Sequence, residues 1–417
     1  MTTAALLTAR AAPELAPAPP DDLPAWLRLA HARGLRPPAL RALLGAFGGP
    51  QAVLAQSFAD LARVAGDDAA RAALAPPPDS RAAFDERVER TIEWASQANN
   101  YVVTLADAAY PQALLTMPDP PPLLYVKGRL DVLQARAVAI VGSRSATPQG
   151  IEDARRFARA LSDAGIAVVS GLALGIDAAA HRGALEGAAS TLAVIGTGAD
   201  LVYPSQHHAL AHDIAERGAI VSEWPLGTPA RPENFPQRNR LIAGLVRGVL
   251  IVEAAMRSGS LITARLANEM GRDVFAIPGS IHAPLSRGCH RMIKQGAKLV
   301  ETPEEVLEEF GIAPAAPAAT AARKRSGVAA NDDRSRRAEA PPPATASWAS
   351  ARATSPNPTP DEDRVLAALG HSPTTLEILA SRTDLTGSTL QGLLLRLELA
   401  GHIETLPGGR FTRIERS

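Results

Sequence analysis

Arginine, serine and glycine cluster in three short stretches of this chain: GSRS at 142–145, FPQRNR at 235–240 and RSGS at 257–260. A guanidinium group offers a planar fork of donors to phosphate oxygens. Glycine lets backbone approach a ligand closely, and Ser, Thr and free N–H groups at a helix start bind anions. These residue types therefore point to phosphate. Phe235 beside Arg238 and Arg240 adds a ring face on which a nucleic-acid base could stack. The competing reading of Phe235 is core packing. The apolar run Leu241–Leu245 follows at once, which places the two arginines and Asn239 at the start of a helix.

Such groups need a frame to bring them together. Short, β-rich apolar runs recur at 137–141, 166–170, 191–195, 218–222, 248–252, 273–277 and 297–300, with helical segments such as IEDARRFARALSDAG between them. Near-continuous apolar strands are buried on both faces, as in a parallel sheet. The alternation predicts an extended Rossmann-like, doubly wound, mostly parallel α/β sheet, with ligands outside the strands' carboxyl ends. Those ends carry Gly142-Ser143-Arg144, Ser170-Gly171, Gly196-Thr197-Gly198, Ser222-Glu223, Glu253 and Pro278-Gly279-Ser280. On this frame Arg144, Arg238, Arg240 and Arg257 converge on one crevice edge.

The 417 residues suffice for two or three domains. Residues 1–20 read as a disordered tail and 21–100 as short amphipathic helices resembling a SAM or helix-hairpin-helix module. Residues 101–310 hold the sheet with its lead-in, 311–360 an Ala/Pro/Arg-rich flexible linker, and 361–417 three helices and a hairpin. That last pattern is a winged helix, with Thr374 and Ser388 expected as N-caps. Its third helix has Arg396 as its only cation, which favours protein contact over groove reading. Arg410 and Arg413 on the wing keep DNA contact open.

Formal net charge is zero, from 43 basic and 43 acidic residues, so an anion site must be local. Cys289 is the single cysteine, which excludes an internal disulfide and cysteine-built zinc sites and fits a reducing cytoplasm. No stretch approaches the length of a membrane span. GSRSATPQG is not the dinucleotide-binding G-x-G-x-x-G, and no P-loop occurs. Asp177 reads as an N-cap, Glu223 and Glu253 as partners that orient arginines. His181 reads as a structural hydrogen-bonder, and His207, His208 and His212 as a surface helix rather than a metal site. Neither cofactor nor catalytic residue is expected. Arginines spread over several loops suit a repeating phosphate chain, and an exposed ring suits unpaired bases. A single-stranded nucleic acid is thus the leading ligand. A nucleoside-monophosphate hydrolase on the same sheet is the alternative, and a regulator acting through its winged helix a third reading.

The motifs VAIVGSRSATPQG, GLALGIDAAAHRGAL, TLAVIGTGADLVYP, FPQRNRLIAGL and VLIVEAAMRSGSLITARLANEMGRDVFAIPGS, within 137–301, closely resemble the DprA/Smf family, the DNA-processing proteins of natural transformation. The resemblance implies single-stranded DNA binding without hydrolysis, protection of incoming DNA, loading of the RecA recombinase and a homodimer. By motif it assigns Gly142, Ser143, Arg144, Phe235, Arg238, Asn239 and Arg240 to the DNA site. Gly171, Ser258, Gly259, Ser260 and Thr263 would add close backbone and hydroxyl contacts.

Overall fold

The computed structural model describes residues 21–77, 80–312, 359–370, 373–406 and 409–414. The tail expected at 1–20 and most of the linker expected at 311–360 lie outside them. The described residues form two compact units, one from those up to 312, the other largely from those beyond 358.

The first unit begins with helices α1 (Leu23–Ala30), α2 (Pro37–Phe47), α3 (Pro50–Leu54), α4 (Phe58–Ala65), α5 (Asp67–Leu74) and α6 (Arg81–Ala95). Proline opens α2 and α3, where its missing N–H would be unpaired anyway. Their leucines and alanines, among them Leu40, Leu43, Val53, Leu61 and Ala70, close a small core. A second cluster ties Leu23, Trp26 and Trp94 to Val102, Tyr125 and Leu226. The helices are therefore fastened to the sheet by apolar burial.

Nine strands form that sheet: β1 (Asn100–Thr104), β2 (Leu123–Gly128), β3 (Ala137–Val141), β4 (Ala167–Ser170), β5 (Thr191–Val194), β6 (Ala219–Ser222), β7 (Gly248–Ile251), β8 (Asp273–Ala276) and β9 (Lys298–Leu299). Their order is β1-β2-β6-β5-β4-β3-β7-β8-β9. β3 to β9 are parallel, while β1 and β2 add an antiparallel margin against β6. Those two strands went unrecognised in the sequence because Pro111, Pro118 and Pro120–Pro122 break up the surrounding pattern.

Alternation within β3 shows both faces buried. Ala139 and Val141 pack into one core, Val138 and Ile140 into the other. Helices α7 (Pro148–Asp163), α8 (Ile176–Leu185) and α13 (Pro303–Glu309) contribute to the second core. Helices α10 (Asn234–Leu245), α11 (Ser260–Glu269) and α12 (Arg287–Lys294) contribute to the first. Helix α9 (His208–Arg217) supports β5 and β6 through Leu210, Ala211 and Ile214. The chain runs outward from β3 through β4 to β6, then returns to β7 on β3's other side. That reversal puts a crevice between the carboxyl ends of β3 and β7.

The second unit has α14 (Pro360–Leu369), α15 (Leu376–Thr383) and α16 (Gly387–Leu399) with a sheet ordered β10 (Thr374–Thr375), β12 (Arg410–Arg413), β11 (Ile403–Leu406). This is the expected winged helix. The caps differ: Thr375 and Thr386 precede α15 and α16, Thr374 lies in β10, and Ser388 stands inside α16. Arg396 pairs with Glu362 at 3.1 Å, while Leu395 and Leu399 are exposed. Among the described residues, no helix is long and apolar enough to cross a membrane.

Candidate nucleic-acid interface

A cavity of about 580 Å³ occupies the crevice. Its floor is Val141 and Gly142 at the end of β3, one wall is Ser258–Ser260 after β7, and the other is the flank of α10 with Phe235, Arg238, Asn239 and Ile242. Gly142 is required by space. A Cβ there would lie 2.5 Å from Ile176 and 2.9 Å from the Glu253 carbonyl oxygen. The Gly142 carbonyl accepts the Ser260 hydroxyl at 2.7 Å, which clamps the start of α11 to the end of β3. Ser258 Oγ accepts the Ser260 N–H at 3.3 Å and bonds its hydroxyl. Thr263 lines the crevice from the next turn, and Gly259 is exposed beside it.

Arg144 is exposed at the mouth, its guanidinium carbon 5.7 Å from the centroid of the Phe235 ring. Phe235 is half-buried and packs against Tyr203, with centroids 5.6 Å apart and planes inclined by 38°. Core packing is therefore not its role. Tyr203, 49% exposed, was not singled out from sequence. Its signal was an aromatic residue on the loop that follows β5, in a chain with four tyrosines. Leu174, Leu201, Met256, Ile262 and Ile281 are also exposed on the loops that follow β4, β5, β7 and β8 or the helix start beside them. Of these, Ile262 lines the crevice, whose mouth is cationic through Arg144.

Several expected members are already engaged by protein partners. Arg238 is 4% exposed. Its Nη1 donates to the carbonyls of Gly171, at 2.6 Å, and Val194, holding together the ends of β4 and β5. Burial pulls the guanidinium down to about 10, with Asp177 opposing the shift. Helix α10 starts at Asn234, so Arg238 lies within it, on its inward face, instead of at its N-terminus. Gly171 is likewise occupied. Its N–H donates to Asp177 at 3.0 Å, its carbonyl receives Arg238, and a Cβ would meet that guanidinium at 2.2 Å.

Arg240 projects from the opposite flank of α10. It bonds the Asp119 carbonyl at 2.7 Å and ion-pairs with Glu223 and Asp119. Glu223 thus orients an arginine as expected, and burial raises its carboxyl above the ordinary range. Glu253 accepts the Thr147 N–H at 2.9 Å and hydroxyl at 2.6 Å, fixing the loop after β3. Ser143 is buried, its hydroxyl accepting the Ser145 N–H and its carbonyl the Ile176 N–H. Arg257 is exposed but does not line the cavity. Of the four arginines expected to converge, two line the crevice, Arg144 exposed at its mouth and Arg238 buried in its wall.

Asp177 is not an N-cap. Gly175, at φ +73°, caps α8, and Asp177 turns inward to accept the N–H groups of Gly171 and Ala173. Burial raises its carboxyl against the pull of Arg238. His181 is fully buried and bonds Thr191 Oγ1 at 2.8 Å, with burial lowering it to about 3. His208 and His212 are exposed, whereas His207 is buried against the Leu172 carbonyl at 2.9 Å. Among the described residues, no group of three or more His, Cys, Asp or Glu is arranged to hold a metal.

Comparison with known proteins places the chain in a family. The model of the DNA recombination-mediator protein A family matches residues 101–311, and that of the DprA winged helix domain matches 349–409. Protein Smf of Escherichia coli K12 is 38% identical over 340 residues, covering 79% of this chain and 82% of the relative. DNA processing protein DprA of Streptococcus pneumoniae is 48% identical over 207 residues, 50% of this chain and 73% of the relative. Its X-ray structure superposes with a TM-score of 0.57 at 38% identity, covering 68% of this chain and 97% of that one.

Proposed function

The chain belongs to the DNA recombination-mediator protein A family of DNA-processing proteins, and from that premise we propose that it binds single-stranded DNA along the β3/β7 crevice. The observation that carries this reading is the exposed Arg144 seated beside the Phe235–Tyr203 ring pair at the crevice mouth. A cation next to a partly exposed ring pair serves a phosphate and an unpaired base together, and duplex DNA keeps its base faces stacked away. The exposed aliphatic side chains on the neighbouring loops extend the same preference. Ser258, Gly259, Ser260 and Asn239 complete the polar lining. The task is binding, with no chemical step. Asp177, the carboxylate in the lining, is engaged by two backbone N–H groups and lies in the field of Arg238, which disfavours the hydrolase alternative.

In the cell this binding would protect incoming DNA and load the RecA recombinase onto it during natural transformation, with the protein acting as a cytoplasmic homodimer. Family membership supports this wider reading. The decisive experiment compares single- and double-stranded oligonucleotides at two salt concentrations, for the intact protein and for Arg144→Ala. The intact protein should prefer single strands, and the variant should bind them with a salt slope smaller by about 0.7. Equal affinity for duplex, or an unchanged slope, would remove the crevice from the site.

A further inference from the structure

Helix α10 separates the crevice from a second groove of about 680 Å³. One wall is the segment after β6, Trp224 to Pro229. The other comes from the N-terminal helical region, through His31, Arg33 and Arg87. Asn234 and Gln237 line the groove from α10, while Phe235 and Asn239 line the crevice from its other flank. Arg231 borders the groove and its chain neighbour Pro232 borders the crevice, so both cavities reach the same turn ahead of α10.

The groove's chemistry is that of an anion path. Arginines reach it from three separate places, the loop after α1, helix α6 and the turn before α10. The carboxylate in its lining, Glu223, is already paired with Arg240. Arg33 and Arg231 are exposed and make no ion pair among the described residues. Trp224, on the wall of the groove, keeps its Nε1 buried without a hydrogen-bond partner among the described residues. An unpaired buried donor is uncommon enough to require a reason. His31 supplies no charge near neutral pH, because burial and Arg87 lower it to about 4.

We infer that a single strand leaving the crevice crosses the turn at Arg231 and lays its phosphates in this groove, which makes the helical region part of the DNA path. Arginines set apart on three elements suit successive phosphates better than one compact anion. The inference rests on the single-strand reading of the crevice. It adds a second contact zone that only longer strands can reach.

The test uses the full chain and oligothymidylates of about four and about sixteen nucleotides, the range of common single-strand footprints. Binding of each is followed against salt for the unsubstituted protein, Arg33→Ala/Arg231→Ala and Arg144→Ala. With the groove in use, the double variant keeps its affinity and slope for the short strand. For the long strand its slope falls by about 1.4, two phosphate contacts at about 0.7 each. Both arginines are exposed, so the variant should melt with the unsubstituted protein. An unchanged long-strand slope, or equal loss on both lengths, overturns the inference and leaves the crevice standing. If the unsubstituted protein binds neither strand, or Arg144→Ala is without effect on both, the crevice reading itself fails.

Discussion

Arg144 and Arg238 carry the same guanidinium in opposite surroundings, and the difference sets what each substitution does. Arg144 is solvated beside a ring, so Arg144→Ala removes a phosphate contact and leaves the core intact. Phe235→Ala should weaken single-strand binding by about 1–3 kcal/mol, the usual worth of one stacked base, with no change in salt slope. A salt titration of both variants separates charge from stacking. Arg238→Ala belongs to a different class. It strips a buried cation from Asp177 and from the Gly171 and Val194 carbonyls. Breaking a buried charge pair from one side costs about 3–5 kcal/mol. Denaturant unfolding should report that loss, whereas a stable Arg238→Ala protein with only a reduced salt slope would return Arg238 to the DNA surface.

At the scale of elements, the crevice depends on loops held at fixed spacing by contacts that a methyl group would break. At Gly175, φ is +73° and a Cβ would lie 2.3 Å from the Ser143 carbonyl oxygen. At Gly171 the added Cβ would strike Arg238. Gly175→Ala therefore combines a left-handed backbone with overpacking, each worth about 1–3 kcal/mol. Thermal melting of Gly175→Ala should show a clear loss, and Gly259→Ala, where a Cβ meets nothing within 4 Å, should melt with the unsubstituted protein. The lead-in strands matter in the same way. A fragment of 131–310 would strip β2 from β6 and expose an unpaired edge. It should aggregate, while 21–312 should stay monodisperse by light scattering and retain single-strand binding.

For the molecule as a whole, pH provides a check on burial. His181 and His31 are held neutral by the fold, at about 3 and about 4 against an ordinary value of 6.5. Below 6.5 the unfolded chain takes up protons that the folded one refuses, so stability is complete above that pH. It falls as pH drops toward 4 and then 3. The slope reaches at most about 1.4 kcal/mol per pH unit for each histidine. Melting temperatures measured from pH 7 to pH 4 should decline across that window. A flat profile for the 21–312 fragment would show that these rings are hydrated.

Local pattern alone determined the strand–helix alternation, the crevice at the strands' carboxyl ends, the winged helix and the family. Each follows from periodicity, turn residues and motif order, which are properties of neighbours along the chain. Tertiary structure alone decided which chemically equivalent side chains face solvent. Arg238 and Arg240 lie two positions apart on one helix, so they leave it in different directions, one toward buried strand ends and the other toward Glu223. Tyr203 meets Phe235 across a long sequence separation, a contact visible only after folding. The groove at Arg33 and Arg231 joins residues far apart in the sequence of one unit. Charge and hydrogen-bonding capacity are written in residue type, but burial, partners and direction arise from packing between segments far apart in the chain.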